Sequence, residues 1–175
     1  APRLGGCKEC GKAVKINTRQ LGMTDTQFVY SSGVAEKSVS TATDLAIMVR
    51  AAATSPKIAE YSKTRGYTAR FSSPRYTLRY GNTNALVHRK SWQIDITKTG
   101  YLDEAGRCLV MMTRIDGRET VMVMLNSYGK RTPIGDAGRI KRWLTTGKSG
   151  KISGSARHYQ RQVLQQLMPE QLALH

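Results

Sequence analysis

Lys98-Thr99-Gly100 is the stretch of this chain whose residue types and spacing are best suited to chemistry. It ends a run from Trp92 to Thr97 in which apolar and polar residues alternate. A lysine ammonium and a threonine hydroxyl at a strand end can hold a carboxylate by charge and hydrogen bonding. A glycine beside them leaves room for a peptide backbone along the strand edge. The triplet therefore predicts a carboxylate-binding site on a β-strand.

A nucleophile for acyl transfer is the next requirement. Serine enzymes that use this triplet combine it with a Ser-x-x-Lys motif and a Ser-x-Asn element. The chain has one Ser-x-x-Lys match, Ser127 to Lys130, and no Ser-x-Asn. The motif requires a helix, because the lysine must lie one turn from the serine to take its proton. Gly129 and the preceding strand pattern indicate a turn instead, so we expect no catalytic nucleophile or base within this chain.

The triplet belongs to the strongest β pattern in the sequence. Trp92, Ile94 and Ile96 alternate with polar residues, which predicts that all three share the apolar face of one strand. Two further apolar runs are joined through Asp116-Gly117, the pair preferred in tight two-residue hairpin turns. We therefore expect three consecutive antiparallel strands.

Helices are predicted on both sides of this β region. Residues 38–54 carry an apolar helical stripe, and Thr41 and Asp44 have capping-box spacing. Ser55-Pro56 is typical of another helix start. A closing helix over residues 136–147 is expected to turn Ile140, Trp143 and Leu144 toward the sheet. It is expected to stop at Gly147.

The remaining segments give weaker patterns. Residues 7–20 are a poor helix candidate, and residues 66–89 indicate short ribbons and loops interrupted by Pro74 and Gly81-Asn82. A Gly/Ser/Lys linker follows Gly147 and leads to a short amphipathic helix. The fold class is therefore α/β in the α+β sense, an antiparallel sheet with helices.

Composition limits the possible partners. The 175 residues carry a net charge of +16, which attracts anions of any kind. The basic residues are scattered, and no zinc finger, basic zipper or ribonucleoprotein motif is present, so nucleic acid is not the expected partner. Anionic cell-envelope polymers would be attracted equally well. No apolar run is long enough for a membrane span.

Three cysteines raise the question of metal or redox chemistry. Cys7 and Cys10 have C-x-x-C spacing, whereas Cys108 is far away in the sequence. A structural zinc site needs two further ligands, and the histidines occur singly. A redox motif of this spacing should follow a strand, and no apolar strand precedes Cys7. We therefore expect neither a metal nor a cofactor.

Several long motifs in order support a family resemblance: "RQLGMTDTQFVYSSGV", "VSTATDLAIMVRAA", "YGNTNALV", "WQIDITKTGYLDEAGRCLVM" and "DAGRIKRWLTTGK". From about Leu21 to Gly147 the chain resembles the serine D-alanyl-D-alanine peptidases of bacterial cell walls, the low-molecular-mass penicillin-binding proteins. Within them it is most similar to the D,D-endopeptidase branch of the penicillin-binding protein seven type.

The resemblance implies a particular architecture. It implies part of the β-lactamase and penicillin-binding transpeptidase-like fold, without the N-terminal strands and the nucleophile helix that the family places before the "LGM" segment. Residues 1–147 would be the C-terminal part of the catalytic domain, and residues 148–175 a linker and tail. The family's missing strands would pair with the strand ending at Ser127, so we expect an open edge and possible self-association there.

The resemblance also implies site roles. Lys98 and Thr99 would hold the terminal carboxylate of a peptidoglycan stem peptide or of a β-lactam. Gly100 would admit the substrate against the strand, and the backbone N–H of Tyr101 would be one of two oxyanion-hole donors.

Two asparagines match a further family motif. Asn82 and Asn84 form its Asn-x-Asn, which we interpret as a loop brace rather than as catalytic residues. For Thr41 and Asp44 helix capping is a sufficient explanation.

Function follows from the resemblance as an expectation. The intact enzyme would be a serine-type D-Ala-D-Ala carboxypeptidase or endopeptidase of the periplasm, although no leader is visible in these residues. The isolated chain would be inactive because it carries the triplet without the nucleophile. The alternative is a non-catalytic, basic, cell-wall-binding module.

Overall fold

The computed structural model describes residues 7–29 and 38–172. Five helices and five strands lie in these ranges, together with one short 3₁₀ helix. The helices are α1 (Cys7–Gln20), α2 (Ala42–Ala53), α3 (Pro56–Lys63), α4 (Thr132–Thr146) and α5 (Gly154–Leu172), and the 3₁₀ helix is Ala85–His88. The strands are β1 (Gly66–Ser72), β2 (Arg75–Gly81), β3 (Gln93–Leu102), β4 (Gly106–Ile115) and β5 (Arg118–Ser127).

The predicted three-stranded sheet is confirmed. Strands β3, β4 and β5 are antiparallel and lie in the order β3-β4-β5, so β3 and β5 are the edges of the described sheet. Asp116 and Gly117 join β4 to β5 with φ values of 49° and 78°. Both values lie in the left-handed region that a two-residue hairpin of this type requires. The Asp-Gly pair therefore fixes the β4–β5 register.

Both faces of the sheet are covered by helices. On one face Met111, Leu109 and Met122 pack with Ala137 of α4 and Leu86 of the 3₁₀ helix. On the other face the buried residues are Ile96, Met112 and Val49 of α2. Burying each large apolar side chain contributes about 1.5–3 kcal/mol. The sheet is thus the middle of three layers, which holds the β3 edge in place.

One predicted strand face is wrong. The β3–β4 pairing shifts between Ile94 and Ile96, so a bulge lies at Asp95. The extra residue turns Ile96 toward α2, whereas Ile94 stays with the cluster on the α4 face. Trp92 packs against the same cluster as Ile94. The alternating sequence pattern does not reveal that Ile96 faces the opposite side from Ile94, because a bulge changes the pairing and leaves the sequence pattern unaltered.

The predicted inward face of α4 is only partly confirmed. Ile140 packs against the core, but Trp143 and Leu144 are 55% and 45% exposed. Trp143 lies roughly a third of a turn away from the buried stripe of the helix. Leu144 lies one turn past Ile140, the last α4 residue in that core cluster. Gly147 ends the helix as predicted, with φ 72° and its N–H bonded to the carbonyl of Trp143.

Helix α2 begins with the predicted cap. The hydroxyl of Thr41 accepts a hydrogen bond from the N–H of Asp44 at 3.2 Å. The Asp44 carboxylate is almost fully buried, and it accepts from the N–H of Asp25 and the hydroxyl of Thr26 at 2.9 and 2.7 Å. Asp44 therefore also fastens the segment before α2, which the capping interpretation missed.

The segments with weaker patterns also have defined structure. Residues 7–20, the poor helix candidate, form α1, although the placement of their first side chains is not described. Residues 66–81 form the predicted ribbon, a hairpin of β1 and β2 that is separate from the central sheet. The C-terminal helix α5 spans Gly154–Leu172 and is longer than the short helix predicted, and the hydroxyl of Tyr159 donates to Asn126 at 2.7 Å.

Candidate carboxylate-binding site on the β3 edge

The open edge of β3 presents the backbone of alternate residues. The N–H of Thr97 points away from β4, because it donates to the hydroxyl of Ser62 in α3 at 3.2 Å. Pairing with β4 is regular from Thr97 to Leu102. Since strand backbone directions repeat every two residues, the N–H and carbonyl groups of Thr99 and Tyr101 also point outward. The edge is therefore capped at Thr97 and open at Tyr101.

The predicted site residues lie together on this edge. Lys98 is exposed, and its ammonium donates to the outward carbonyl of Thr99. Thr99 is half-buried, and its hydroxyl lies 2.5 Å from that of Thr83. Both hydroxyls are free to rotate, so the Thr83–Thr99 pair can offer a proton to an incoming oxygen. The geometry brings a cation, two hydroxyls and an outward N–H to one strand end.

The Asn-x-Asn motif braces this strand end. Asn82 donates through its amide to the carbonyls of Ser62 and Thr64 at 2.8 and 2.9 Å. Asn84 is fully buried and donates to the hydroxyl of Thr97 at 2.9 Å. Its side-chain oxygen accepts from the N–H of Leu86 at 3.0 Å. These bonds tie α3, the loop and β3 together, which confirms the predicted brace.

A groove of about 570 Å³ lies beside the edge on the α4 side, and we call it the cationic groove. Lys98, Arg107 and Lys130 are among its lining residues, and no Asp or Glu is among the described residues that line it. Charges of one sign in a cleft with low-dielectric walls strengthen the local field. The groove therefore favours an anionic ligand.

Tyr101 lines the cationic groove. Its hydroxyl donates to the Asp103 carboxylate at 2.5 Å, and the Arg107 guanidinium lies 4.1 Å from the centre of its ring. The hydrogen bond to Asp103, followed by the charge of that carboxylate, raises the pKa of Tyr101. The ring is held between an anion and a cation, so the side chain is positioned while the backbone stays accessible.

A second groove of about 540 Å³ approaches the same edge from the α3 side, and we call it the aromatic groove. Tyr61, Tyr67 and Tyr80 are among its lining residues. Three residues line both grooves: Thr83, Lys98 and Thr99. The two grooves therefore meet at the predicted carboxylate site.

Gly100 leaves space at the edge without being needed by the fold. A Cβ built on it would meet the Cβ of Cys108 at 4.0 Å, an ordinary contact. Its φ lies outside the left-handed region, so no backbone strain requires glycine there. The role predicted for Gly100, admitting a ligand along the strand, is compatible with this open space.

The Ser-x-x-Lys match does not have the geometry of a nucleophile helix. Ser127 is the last residue of β5, and Tyr128 to Lys130 form the bend and turn before α4. Serine and lysine are therefore not one helical turn apart. Lys130 does line the cationic groove, where it adds to the charge near Lys98.

Other candidate features contribute no further chemistry. Cys7 and Cys10 open α1, but their side chains lie outside the described placements. Among the described residues there is no group of three metal-ligating side chains. None of the helices in the described ranges is both long enough and apolar enough to cross a bilayer.

Sequence reasoning missed three residues of the site. Ser62 caps the edge, Thr83 pairs with Thr99, and Arg107 packs on Tyr101. Thr83 stands between the two predicted brace residues, and this position was the one signal in the sequence that pointed to it. Its partner is 16 residues away, so the contact depends on the path of the loop.

Comparisons with known proteins agree with this architecture. The sequence profile of the D-alanyl-D-alanine carboxypeptidase family matches residues 4–129. The chain is 40% identical over 163 residues to the D-alanyl-D-alanine endopeptidase of Escherichia coli, covering 93% of this chain and 53% of that protein. It is also 40% identical over 158 residues to the D-alanyl-D-alanine endopeptidase of Pseudomonas aeruginosa, covering 90% and 51%.

A solved structure shows the same fold. The Streptomyces K15 DD-transpeptidase matches with a TM-score of 0.70 and 26% identity, covering 78% of this chain and 53% of that one. The chain therefore belongs to the D-alanyl-D-alanine carboxypeptidase family, and the family resemblance and the fold class predicted from the sequence are confirmed. The chain spans about half the length of the curated relatives it matches.

Proposed function

We propose that this chain supplies the substrate-carboxylate edge of a serine D,D-peptidase that acts on peptidoglycan stem peptides. The observation that carries the proposal is the outward backbone of Tyr101 beside Lys98 and Thr99 on an open strand edge. An extended peptide laid along this edge meets backbone groups of β3 and places its terminal carboxylate near the ammonium and hydroxyl. The relatives' names, D-alanyl-D-alanine endopeptidase, supply the substrate class.

Each residue has a distinct role in this proposal. Lys98 and the Thr83–Thr99 hydroxyl pair bind the carboxylate, and Gly100 lets the peptide backbone approach. The Tyr101 N–H is one donor of the oxyanion hole, where a donor contributes about 2.7–4 kcal/mol to the transition state. Arg107 and Lys130 extend the positive field around the bound anion. No cofactor or metal takes part in the proposed reaction.

The attacking serine and its lysine base come from residues outside this sequence. Ser127 ends a strand, so its spacing to Lys130 cannot reproduce a serine–lysine helix turn. Residues 1–147 are then the C-terminal part of the catalytic domain, residues 148–175 are an appended tail, and the whole protein works in the periplasm. Acylation requires the two halves together.

Covalent labelling with a penicillin tests whether the nucleophile lies outside this sequence. The 175-residue chain is incubated with a fluorescent penicillin, denatured and run on a gel, and no labelled band is expected. A chimera that joins the N-terminal half of the E. coli relative to this chain should give a labelled band. Lys98→Ala in the chimera should slow labelling at least about tenfold, since hydrogen bonds to charged groups contribute about 1.5–3 kcal/mol. A labelled band from the chain alone would disprove the external nucleophile.

Peptide binding tests the edge itself. Amide chemical shifts of the isotope-labelled chain are followed by NMR while an N-acetylated peptide ending in D-alanyl-D-alanine is added. Shifts should concentrate at Thr99 to Tyr101, and Thr99→Val should weaken binding several-fold. Lys148→Ala removes an exposed lysine remote from the triplet in sequence and serves as the charge control. If the peptide binds but the chimera stays unlabelled, the non-catalytic wall-binding module becomes the better interpretation.

A further inference from the structure

The ribbon of β1 and β2 has two chemically different faces. Its pairing places Tyr67 opposite Tyr80, Ala69 opposite Leu78, and Phe71 opposite Tyr76. Paired residues in a ladder point to the same side, and successive pairs alternate. These six residues therefore form one face, which we call the aromatic face. The opposite face carries Arg70, Arg75 and Arg79 with hydroxyl residues between them.

The aromatic face is exposed. Tyr67 is 67% exposed, Tyr80 54% and Leu78 41%. The rings of Phe71 and Tyr76 stack on each other at 4.3 Å and 9°, and both remain exposed at 39% and 43%. An isolated two-stranded ribbon is marginally stable in water. Contiguous apolar surface of this kind marks a binding surface.

The aromatic face continues into the candidate site. Tyr67 and Tyr80, the pair nearest the base of the ribbon, line the aromatic groove, and Lys98 and Thr99 line the same groove. A ligand bound at the triplet therefore has an uninterrupted path onto the ribbon. One extended molecule can therefore contact both the ribbon and the triplet.

Charge favours an anionic molecule. Residues 64–82 contain four arginines and no Asp or Glu: Arg65, Arg70, Arg75 and Arg79. Three of these arginines lie on the opposite face, so they act on a ligand of the aromatic face through long-range attraction. Tyrosine rings offer flat apolar surface together with a hydroxyl, which suits the alternating C–H and O–H surface of a sugar ring.

We infer that the aromatic face binds the glycan strand to which the stem peptide is attached. This inference rests on the proposed function, because it assigns to the ribbon the saccharide part of the same substrate. An extended peptide of about four residues spans at most ~14 Å. The glycan of a bound stem peptide must therefore lie close to the triplet, which is where the aromatic groove leads. The amino sugars stack on Tyr67 and Tyr80, while the arginines of the opposite face contribute long-range attraction for an anionic polymer.

Direct titration tests the inference. Soluble glycan strands of alternating N-acetylglucosamine and N-acetylmuramic acid, stripped of peptide, are added to the 175-residue chain. Binding is followed by saturation-transfer NMR on the sugar protons and by amide shifts of the ribbon. The double variant Tyr67→Ala, Tyr80→Ala should bind about tenfold more weakly, because two stacking rings are lost. Tyr67→Phe with Tyr80→Phe keeps both rings and should stay within about threefold of the parent.

Matched variants separate binding from folding. Thr68→Ala with Thr77→Ala changes the opposite face of the same ribbon and should leave glycan binding unchanged. Amide shifts of β1 and β2 show whether each variant keeps the ribbon. Equal glycan binding by the parent and by a folded double alanine variant would overturn the inference, and so would no binding by the parent.

Peptide binding and sedimentation separate glycan recognition from the carboxylate site and from self-association. The D-alanyl-D-alanine peptide should bind the double alanine variant as it binds the parent. Peptide binding without glycan binding would overturn this inference and leave the proposed function standing. Glycan binding without peptide binding would overturn the proposed function and leave only glycan recognition by the ribbon. A change of sedimentation coefficient in the alanine variant, with glycan binding unaltered, would show that the face joins two copies of the chain and would also overturn it.

Discussion

The central sheet and the β1–β2 ribbon are both antiparallel hairpin structures, yet their apolar faces have opposite environments. In the sheet, Leu109 and Met111 are 1% and 0% exposed because α4 and the 3₁₀ helix cover them. In the ribbon, Tyr67 and Leu78 are 67% and 41% exposed. Strand pairing is similar in the two regions, so the difference lies in what packs against each face.

This difference gives the two regions different roles: the buried sheet supports the site, and the exposed ribbon presents a surface to solvent. Apolar burial in the sheet stabilises the β3 edge, since each buried large side chain contributes about 1.5–3 kcal/mol. The ribbon gains little from burial and is free to offer its rings to a ligand. Regions of low local stability often carry binding surfaces. The grooves at the triplet lie between the two regions, where a rigid strand end meets an exposed platform.

The largest expected effect comes from removing a core side chain of the sheet. Leu109→Ala should lower the free energy of unfolding by about 2–5 kcal/mol, because it leaves a cavity beneath α4 and the 3₁₀ helix. Leu78→Ala in the ribbon should cost about 0.5 kcal/mol or less, since its surface is already partly in water. Urea denaturation followed by far-ultraviolet circular dichroism measures both. Equal losses would show that the ribbon belongs to the same cooperative core.

Substitution by alanine should destabilise the protein at Gly106 much more than at Gly100. Gly106 has φ 63°, and an added Cβ would approach the Asn126 backbone at 2.9 Å. Gly106→Ala should therefore cost about 2–3 kcal/mol of stability. Gly100→Ala should cost less than about 0.5 kcal/mol, yet it should abolish detectable binding of the D-alanyl-D-alanine peptide by narrowing the edge. Chemical denaturation and peptide titration give the two numbers, and retained peptide binding would contradict the role of Gly100.

The brace should couple stability to the site. Asn84→Ala removes the bonds to Thr97 and to the N–H of Leu86, leaving buried groups unpaired at a cost of about 1–3 kcal/mol. The strand end should also loosen, so hydrogen exchange at Thr97 should accelerate more than at Met111 in β4. Arg118→Ala, at an exposed position beside the β4–β5 turn, is the control. Uniform acceleration across the sheet would mean that Asn84 supports the fold alone.

Local signals in the sequence predicted much of this architecture. The Asp116-Gly117 turn, the Thr41 cap and the Gly147 stop depend on one or two residues each, and all are confirmed. The strand that carries the triplet is equally local, because Lys98 and Thr99 continue an alternating run, although β3 extends past the triplet to Leu102. Neighbouring residues impose these features, so a single sequence reveals them.

Features that depend on distant contacts were not predictable. The bulge at Asp95 leaves the alternation intact but inverts Ile96, and only the β4 partner reveals it. The Thr83–Thr99 pair and the buried bonds of Asp44 join segments far apart in sequence. The exposure of Trp143 depends on which stripe of α4 packs against the sheet. Self-association through the open edge of β5 stays a prediction, testable by sedimentation at rising concentration.

The smallest expected effect concerns Tyr101, an exposed ring with defined partners. Asp103 raises the pKa of Tyr101 through its hydrogen bond and its charge, whereas Arg107 opposes the rise. Asp103→Asn should therefore lower the pKa of Tyr101, and Arg107→Ala should raise it further. The folded state holds this proton more tightly than the unfolded state, so the associated stability is present below the unfolded pKa of about 10 and is lost as pH rises through the raised value. Titration of ¹³C-labelled tyrosine ring carbons measures the pKa directly. Shifts of the same sign in the two variants would show that Tyr101 is not held between the two charges.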